Sequence, residues 1–324
     1  MSKVIIAGQE HARTWSASGS QGVSLRQGIY PYERVEPWKS AALLLEGDDV
    51  VSTTKSLGYY PIRGNTKLQG NGETPHRLLP LSMVVDPWSM TTLNAWGHSS
   101  FGLVFHDRVG TFGSINRPWV LSIITDQLEW KGKEQELHRI CDFLDDPLTR
   151  FKVRPVIEFV GGCANADIPL ENILRDNAAA VRLIRNRMPP PWVVVNNITP
   201  IAPPEVFQAA QDAGADCIRL CNTIPHGHPL LPEDIKWAKR SPLMQRIGKP
   251  GAYSGPACAP IILDVLDSIR PLISVPIGVG NGFYTVELIA EAYRRGADFI
   301  SLGMIKLYRP WRLQSLIEAA NTLK

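Results

Sequence analysis

The sequence predicts an α/β protein built as a closed (β/α)8 TIM barrel. Its 324 residues, 44% of them hydrophobic, suit one large α/β domain. The second half alternates apolar, β-branched runs of strand length with amphipathic stretches of helical period, which indicates a parallel sheet with crossover helices. Residues 211–220 and 293–302 also share one pattern, in which a glycine closes a helix and Ala-Asp leads into a strand. At this length the closed barrel is favoured, and an open doubly wound sheet is the alternative.

The predicted elements follow one another regularly in the second half. Gly214 and Gly296 fit the left-handed position after a helix, which glycine occupies without a Cβ penalty. The first 110 residues are less regular, but no linker rich in Pro, Gly and Ser divides the chain, so we expect a single domain over residues 1–324. We expect strands at 153–160, 192–198, 217–223, 274–280 and 299–304, and helices at 173–188, 203–214, 259–272 and 285–296.

Composition excludes several classes of partner. The net charge is +3 with Lys and Arg spread along the chain, so no basic tract points to nucleic acid. Five cysteines without a CxxC spacing argue against a disulfide framework and structural zinc, and we expect His226 and His228 to lie in a solvated loop, not in a metal site. The N-terminus lacks the apolar core of a signal peptide, and no apolar run approaches the ~20 residues of a membrane helix. We therefore expect a cytoplasmic protein with no metal and no membrane partner.

The loops after the predicted strands carry polar residues. In a barrel of this kind, chemistry lies in the loops at the carboxyl ends of the strands. These loops read GGCAN, NNITP, CNTIP, GVGNG and LGMIK, and no charged residue occurs in them until Lys306. Any one of them could be an ordinary turn. Taken together, they indicate a pocket that binds a polar, largely neutral ring through amide hydrogen bonds.

The last two glycine-rich loops suit a phosphate group. Each brings backbone amides to the start of a helix, and late barrel strands are where such sites occur. GVGNG lacks the GxGxxG spacing of a dinucleotide fold and the lysine of a nucleoside-triphosphate loop, which disfavours NAD and ATP. The phosphate of a flavin mononucleotide (FMN) remains plausible.

Several candidate side chains are ordinary when taken singly. Lys55 in STTKS would most often be a surface lysine, but in a pocket it could donate to a flavin carbonyl or a substrate carboxylate. Cys163 in GGCAN is by default a small buried residue. Asn94, Asn165 and Asn222 together offer donors and acceptors that match amide edges.

Motifs in several loops match those of one known family in the same order. SASGSQG is similar to its ASG motif, STTKS with PIRGN to TKS and REGN, LNAWG to INSMG, and IEFVGGCAN to IELNLSCPN. Further along, CNTI is similar to its NS or NT pair, GAYSGPA to GGLSGPA, and GVGNG and LGM to GVGG and VGT. The sequence thus resembles the dihydroorotate dehydrogenase family, whose members are FMN enzymes on a (β/α)8 barrel.

The resemblance implies roles for the residues at the matched positions. Cys163 falls on the catalytic base of a hydride transfer between flavin N5 and a CH–CH or C=C bond beside a carbonyl. The implied substrate-binding residues are Lys55, Asn94, Trp96, Gly97, Asn165, Asn222 and Thr223. The implied FMN contacts are Ala17, Ser18, Gly19, Lys55, Ser56, Asn94, Ser254, Gly255, Gly280, Asn281, Gly303 and Met304.

The resemblance also implies a class, from which three features depart. A cysteine base without a membrane segment is similar to the class 1 enzymes, and PIRGN is more similar to the fumarate-linked homodimers than to the type with an iron–sulfur partner.

Three positions depart from the family's pattern. Val160 stands where the family has an asparagine, the family's flavin-side lysine is missing from residues 195–197, and Met304 replaces a threonine. Each lost hydrogen bond costs about 1–3 kcal/mol, which is enough to change substrate choice.

Three functions follow from these patterns. The first is oxidation of dihydroorotate to orotate with a small-molecule electron acceptor such as fumarate. The second is a diverged flavoenzyme that acts on another cyclic amide or unsaturated carbonyl compound. The third is a flavin- or phosphate-binding barrel without catalysis, against which the retention of Cys163 speaks.

Overall fold

Parallel strands connected by helices make up the main body of the protein. The computed structural model describes residues 2–146, 148, 151–161 and 170–323. The strands within these residues are β1 Lys3–Ile6, β2 Gln9–Ala12, β3 Thr14–Ser16, β4 Ser52–Thr53, β5 Met83–Asp86, β6 Thr91–Asn94, β7 Trp119–Ile123, β8 Val156–Gly161, β9 Val194–Ile198, β10 Cys217–Leu220, β11 Ile224–Pro225, β12 Ala252–Ser254, β13 Ile277–Gly280 and β14 Phe299–Leu302. The helices are α1 Trp38–Leu44, α2 Gly102–Arg108, α3 Trp130–Asp145, α4 Leu170–Arg187, α5 Pro204–Asp212, α6 Pro242–Ile247, α7 Cys258–Ile269, α8 Val286–Arg294, α9 Ile305–Tyr308 and α10 Leu313–Thr322.

Eight of the described strands form one parallel sheet that closes on itself. Their order is β3-β14-β13-β10-β9-β8-β7-β4. The two outer strands meet through a bridge between Trp15 and Val51, where Ser16 N donates to Val51 O and Val51 N donates to Thr14 O, each at 2.9 Å. The ring is therefore complete, and the predicted (β/α)8 barrel is confirmed.

The predicted elements of the second half are present with shifted ends. Strands β8, β9, β10, β13 and β14 overlap the five predicted strand segments, and α4, α5, α7 and α8 correspond to the predicted helices. Gly214 and Gly296 have φ of +101° and +95°, as expected for glycines that end helices. Among the polar residues predicted at the strand ends, Asn222, Thr223 and Asn281 lie just beyond their strands, whereas Asn196 and Asn197 lie within β9.

An antiparallel hairpin fills the amino-terminal end of the barrel. β1 pairs with β2, and Val4 and Ile6 from β1 cluster with side chains at the starts of barrel strands. Among these, the rings of Trp15 and Phe299 lie 4.4 Å apart, centroid to centroid. This end of the barrel is packed with apolar side chains and serves stability.

A small antiparallel sheet lies beyond the opposite end. Its order is β11-β12-β6-β5. β5 and β6 come from the chain after β4, and β11 and β12 from the chain after β10. Because the chain leaves the barrel at the carboxyl ends of these strands, the small sheet covers that end. The loops predicted to carry the chemistry meet between this sheet and the barrel.

Candidate active site

A cavity opens between the carboxyl ends of the barrel strands and the small antiparallel sheet. Its volume is about 1370 Å³, which includes the solvent-filled space at its opening. Most of the residues predicted from the loop motifs line it: Ala17, Ser18, Gly19, Lys55, Ser56, Asn94, Trp96, Gly97, Asn222, Thr223, Ser254, Gly303 and Met304. Motifs that are far apart in the sequence therefore meet at one site.

Three further predicted positions are absent from the described lining of the cavity. They are Gly255, Gly280 and Asn281. Asn281 lies behind the wall, where its Oδ1 accepts from Gly255 N at 3.1 Å and its Nδ2 donates to Asn222 O at 3.1 Å. In the described residues this side chain thus supports the lining loops from behind.

Strand β8 leads to the segment that holds the predicted base. Val160 lines the cavity, and Gly161 ends the strand. Cys163 and Asn165 lie outside the described residues, so their roles as catalytic base and substrate ligand stay predictions.

Lys55 follows β4 and is buried, with 7% of its surface exposed. Its ammonium group donates to Ser99 O and lies 4.7 Å from the centroid of the Trp96 ring, a cation–π contact. Burial lowers the pKa of Lys55 to about 7, and the charge of Glu73 opposes that shift. The protonation of Lys55 therefore responds to small changes of charge in the cavity at neutral pH.

The loop that follows β6 brings a histidine to the cavity. Gly97 and His98 have φ of +69° and +58°, and the second is uncommon for a residue with a side chain. Asn65 holds this loop, since its backbone N–H donates to Trp96 O at 2.9 Å. His98 lines the cavity, and its buried Nε2 has no hydrogen-bond partner among the described residues. Burial and then the charge of Lys55 lower the pKa of His98 to about 4, so the imidazole is neutral at pH 7.

A wall of the cavity that the sequence did not predict comes from the segment after β3. Tyr30 and Tyr32 line the cavity with stacked rings whose centroids are 5.6 Å apart. Lys306 also lines it and donates to Glu33 Oε1 and to Ser20 O. Lys306 is 2% and Glu33 1% exposed. Burial lowers the pKa of Lys306, and the charge of Glu33 opposes that shift.

The barrel interior beneath this site is polar. Arg219 and Glu158, each fully buried, form an ion pair there. Arg219 also donates to Ser16 O at 2.6 Å and to Ser301 Oγ at 2.9 Å. Ser122 Oγ donates to Glu158 Oε1 at 2.8 Å. The pair is thus hydrogen-bonded on both sides, as buried charges require.

Polar atoms without a partner in the cavity wall indicate a polar ligand. Ser20 Oγ, Trp96 Nε1 and Asn197 Oδ1 are buried, and none has a hydrogen-bond partner within the part of the chain that is described. Buried polar atoms in proteins normally have one. Gly19 has φ of +80°, and a Cβ built on it meets no protein atom within 4 Å. The wall therefore offers open space and unused hydrogen-bonding atoms.

The described residues give a metal site no support. No group of three or more His, Cys, Asp or Glu side chains among them is placed to hold a metal ion. His226 and His228, which were expected in a solvated loop, are both half-buried. The ring of His226 stacks on Tyr253 at 5.9 Å, and its Nε2 lies 2.9 Å from Trp237 O. Among the described helices, none combines the length and apolar character needed to cross a membrane.

Curated relatives of the chain are catalytic subunits of one enzyme. The sequence is 30% identical over 107 residues to the catalytic subunit of dihydroorotate dehydrogenase B (NAD(+)) from Oceanobacillus iheyensis, and this match spans 33% of each chain. It is 26% identical over 275 residues to the same subunit from Geotalea uraniireducens, a match that spans 83% of this chain and 79% of the relative. Over most of its length the chain is thus similar in sequence to a dihydroorotate dehydrogenase catalytic subunit. No protein-family model matches it.

Solved dihydroorotate dehydrogenase structures have the same fold. The ligand-free enzyme from Eimeria tenella superposes with a TM-score of 0.71 at 12% identity, over 98% of this chain and 86% of that chain. Its complex with ferulenol gives a TM-score of 0.68 at 11% identity, over 98% and 83%. At such identities the likeness establishes the barrel fold alone.

Proposed function

We propose that the protein is a member of the dihydroorotate dehydrogenase family and an FMN-dependent oxidoreductase that transfers a hydride between flavin N5 and a CH–CH or C=C bond beside a carbonyl. One observation carries the proposal: of the described residues in the loops that resemble the family's FMN and substrate motifs, most line a single cavity at the carboxyl end of the barrel. Oxidation of dihydroorotate to orotate, a step of pyrimidine biosynthesis, is the first reaction to test. Residues 1–324 would act as a single FMN-binding domain.

The cavity wall suits FMN. Ser18 and Ser56 offer hydroxyl groups, and the backbone at Gly303 and Met304 offers amides to a phosphate. Asn197 adds a buried Oδ1 that has no partner within the described residues. When bound, the flavin would supply the redox step, and the protein would supply position and electrostatics.

The chain's own residues would move the proton and hold the substrate. In the oxidation direction, the thiolate of Cys163 would take a proton from the carbon beside the carbonyl, and in the reduction direction its thiol would return one. Lys55, Asn94 and Asn222 line the cavity, where they would orient the substrate and stabilise negative charge on its carbonyl oxygen. All four residues in this mechanism have the roles that the family resemblance implies for them.

Visible spectroscopy of the purified protein tests the proposal. We expect a yellow protein whose flavin absorption bleaches when dihydroorotate is added without oxygen. Cys163→Ala should keep the flavin and lose the bleaching, whereas unchanged turnover would remove the base assignment. A protein that binds no FMN would overturn the proposal, and one that binds FMN but reacts with no substrate would favour a binding barrel.

A different substrate for the same chemistry is the second candidate. Val160 is 5% exposed and clusters with Ile62 and Ile124, so this part of the wall presents carbon where the family has an amide. Asn197 stands in the segment from which the family's lysine is missing. A cyclic amide or unsaturated carbonyl compound with an apolar edge matches such a wall. Bound flavin that dihydroorotate leaves oxidised, but that another such compound reduces, would select this candidate.

We further propose that the protein is a cytoplasmic homodimer that passes electrons to a small molecule such as fumarate. The similarity of PIRGN to the fumarate-linked members of the family supports this, whereas the curated relatives are catalytic subunits of the NAD(+) enzyme and favour a different acceptor. Analytical ultracentrifugation measures the oligomeric state. Reoxidation of the reduced flavin by fumarate under nitrogen tests the acceptor.

A further inference from the structure

A chain of three serine hydroxyls connects the ion pair of the barrel interior to the cavity wall. Ser122 Oγ donates to Glu158 Oε1 at 2.8 Å and lies 2.9 Å from Ser56 Oγ. Ser56 Oγ in turn lies 3.1 Å from Ser18 Oγ. Ser18 and Ser56 line the cavity, whereas Ser122 and Glu158 are fully buried. The serine chain (Ser18, Ser56 and Ser122) therefore runs from the interior to the ligand space.

The interior end of the serine chain has a fixed hydrogen-bonding polarity. Glu158 faces the guanidinium of Arg219 inside the barrel, and a carboxylate in that setting only accepts hydrogen bonds. Arg219 has no acceptor atom, and it also donates to Ser16 O at 2.6 Å and to Thr53 Oγ1 at 3.2 Å. The hydroxyl hydrogen of Ser122 is consequently committed to Glu158.

This polarity passes along the serine chain, because each hydroxyl has one hydrogen to donate. Since Ser122 donates to Glu158, it can only accept in its contact with Ser56. The hydrogen of Ser56 then points to Ser122, and the hydrogen of Ser18 points to Ser56 or to Thr54 O, which lies 3.0 Å away. Every hydroxyl hydrogen of the serine chain is directed away from the cavity.

We propose that Glu158 and Ser122 are positioning residues that make the hydroxyls of Ser18 and Ser56 hydrogen-bond acceptors toward the ligand. The inference rests on the proposed FMN site. The ligand group that meets these serines is then a donor, either the N3–H of the isoalloxazine ring or a hydroxyl of the ribityl chain. Without the carboxylate, the same two serines could turn their hydrogens toward the ligand and would no longer select for a donor.

Equilibrium binding of FMN to the apoprotein, followed by quenching of flavin fluorescence, tests this inference. Ser122→Ala interrupts the serine chain and leaves the ion pair intact. We expect its Kd for FMN to rise about tenfold, which corresponds to about 1.4 kcal/mol. Thr53→Val is the matched control, because it removes a hydroxyl that Arg219 contacts without touching the serine chain. Its Kd should stay within about twofold of the wild-type value.

A double-mutant cycle separates positioning from general destabilisation. If Ser122 acts through Ser56, then Ser122→Ala should have no further effect on Kd in a Ser56→Ala background. Ser122→Thr keeps the hydroxyl and should restore wild-type affinity. If Ser122→Ala does not fold, Ser122→Cys, which has similar volume and a weak donor, takes its place in the cycle. FMN methylated at N3 identifies the donor, because it has no N3–H to donate. If N3–H is the donor, the Kd of the methylated FMN should be the same for the wild type and Ser122→Ala.

Two kinds of result overturn the inference. Equal FMN affinity for the wild type and Ser122→Ala would remove the positioning role and leave the proposed function standing. An equal loss in Thr53→Val and Ser122→Ala would show a structural effect only and would also overturn it. Wild-type apoprotein that does not bind FMN would overturn the proposed function, and this inference with it.

Discussion

Replacing Lys55 with methionine removes an ammonium group that the fold buries. The fold lowers the pKa of Lys55 from 10.5 to about 7, so above pH 7 the folded protein releases a proton that the unfolded chain retains. Below pH 7 both states carry the charge, and the cost of burying it is fully present. Because the unfolded state binds more protons above pH 7, stability rises with pH there. The slope is half of its full value of about 1.4 kcal/mol per unit at pH 7 and approaches that value above pH 8, so from pH 7 to pH 9 the free energy of unfolding rises by about 2 kcal/mol.

Urea unfolding of the wild type and Lys55→Met at pH 7 and pH 9 measures this effect. Other titrating groups are common to both proteins and cancel in the difference. The difference in unfolding free energy should therefore shift in favour of the wild type by about 2 kcal/mol between the two pH values. Lys67→Met, at an exposed lysine, serves as the control and should show no shift. A difference between wild type and Lys55→Met that is the same at both pH values would refute the buried ammonium.

Three further substitutions test the cavity wall. Lys306→Met leaves Glu33 buried without its partner and should lower the free energy of unfolding by about 3–5 kcal/mol, and adding Glu33→Gln should recover part of that loss in urea titrations. His98→Leu removes a neutral imidazole and should raise KM about tenfold at unchanged flavin content. Because the pKa of His98 is about 4, the ratio of the variant's KM to the wild-type KM should be equal at pH 6 and pH 8. A ratio that changes with pH would contradict a neutral imidazole at His98. Val160→Asn supplies the amide that the family has, so kcat/KM for dihydroorotate should rise about tenfold if this is the substrate, whereas a fall would favour the second candidate.

The barrel and most of the cavity lining could be predicted from the sequence because both depend on local patterns. Alternating apolar runs and helical periods mark the strands and helices of the second half, and parallel strands bring their carboxyl ends together whatever the loops contain. A loop motif such as CNTI therefore reaches the site through the fold alone. The assignment of Asn222 and Thr223 to the cavity follows from their position directly after β10.

The wall built by Tyr30, Tyr32 and Lys306 could not be predicted in the same way. The segment after β3 has no periodicity, and Lys306 meets Glu33 from a position 273 residues away in the chain. The position of each side chain depends on tertiary contacts between a loop and a late strand end. Local patterns carry no information about such a pairing.

A signal for the buried ion pair was present in the sequence. Glu158 lies within the apolar run VIEFV, and Arg219 within CIRL. A charge inside a strand that is buried on both faces requires a partner, because burying an unpaired charge is too costly. This argument predicts that each has a partner in the barrel interior. Which charges pair follows only from the register and twist of the sheet.

The position of the cavity beside the seam between β3 and β4 suggests that a bound ligand stabilises the barrel. Two backbone hydrogen bonds around Val51 join the ring there, and the cavity residues Ser18 and Ser56 follow the two strands of that seam. A ligand bound to both serines would link β3 and β4 across this seam. Ligand binding would then be coupled to pairing of β3 with β4, so the bound ligand would stabilise that pairing. We expect amide hydrogen exchange at Ser16 and Val51 to slow when the ligand binds.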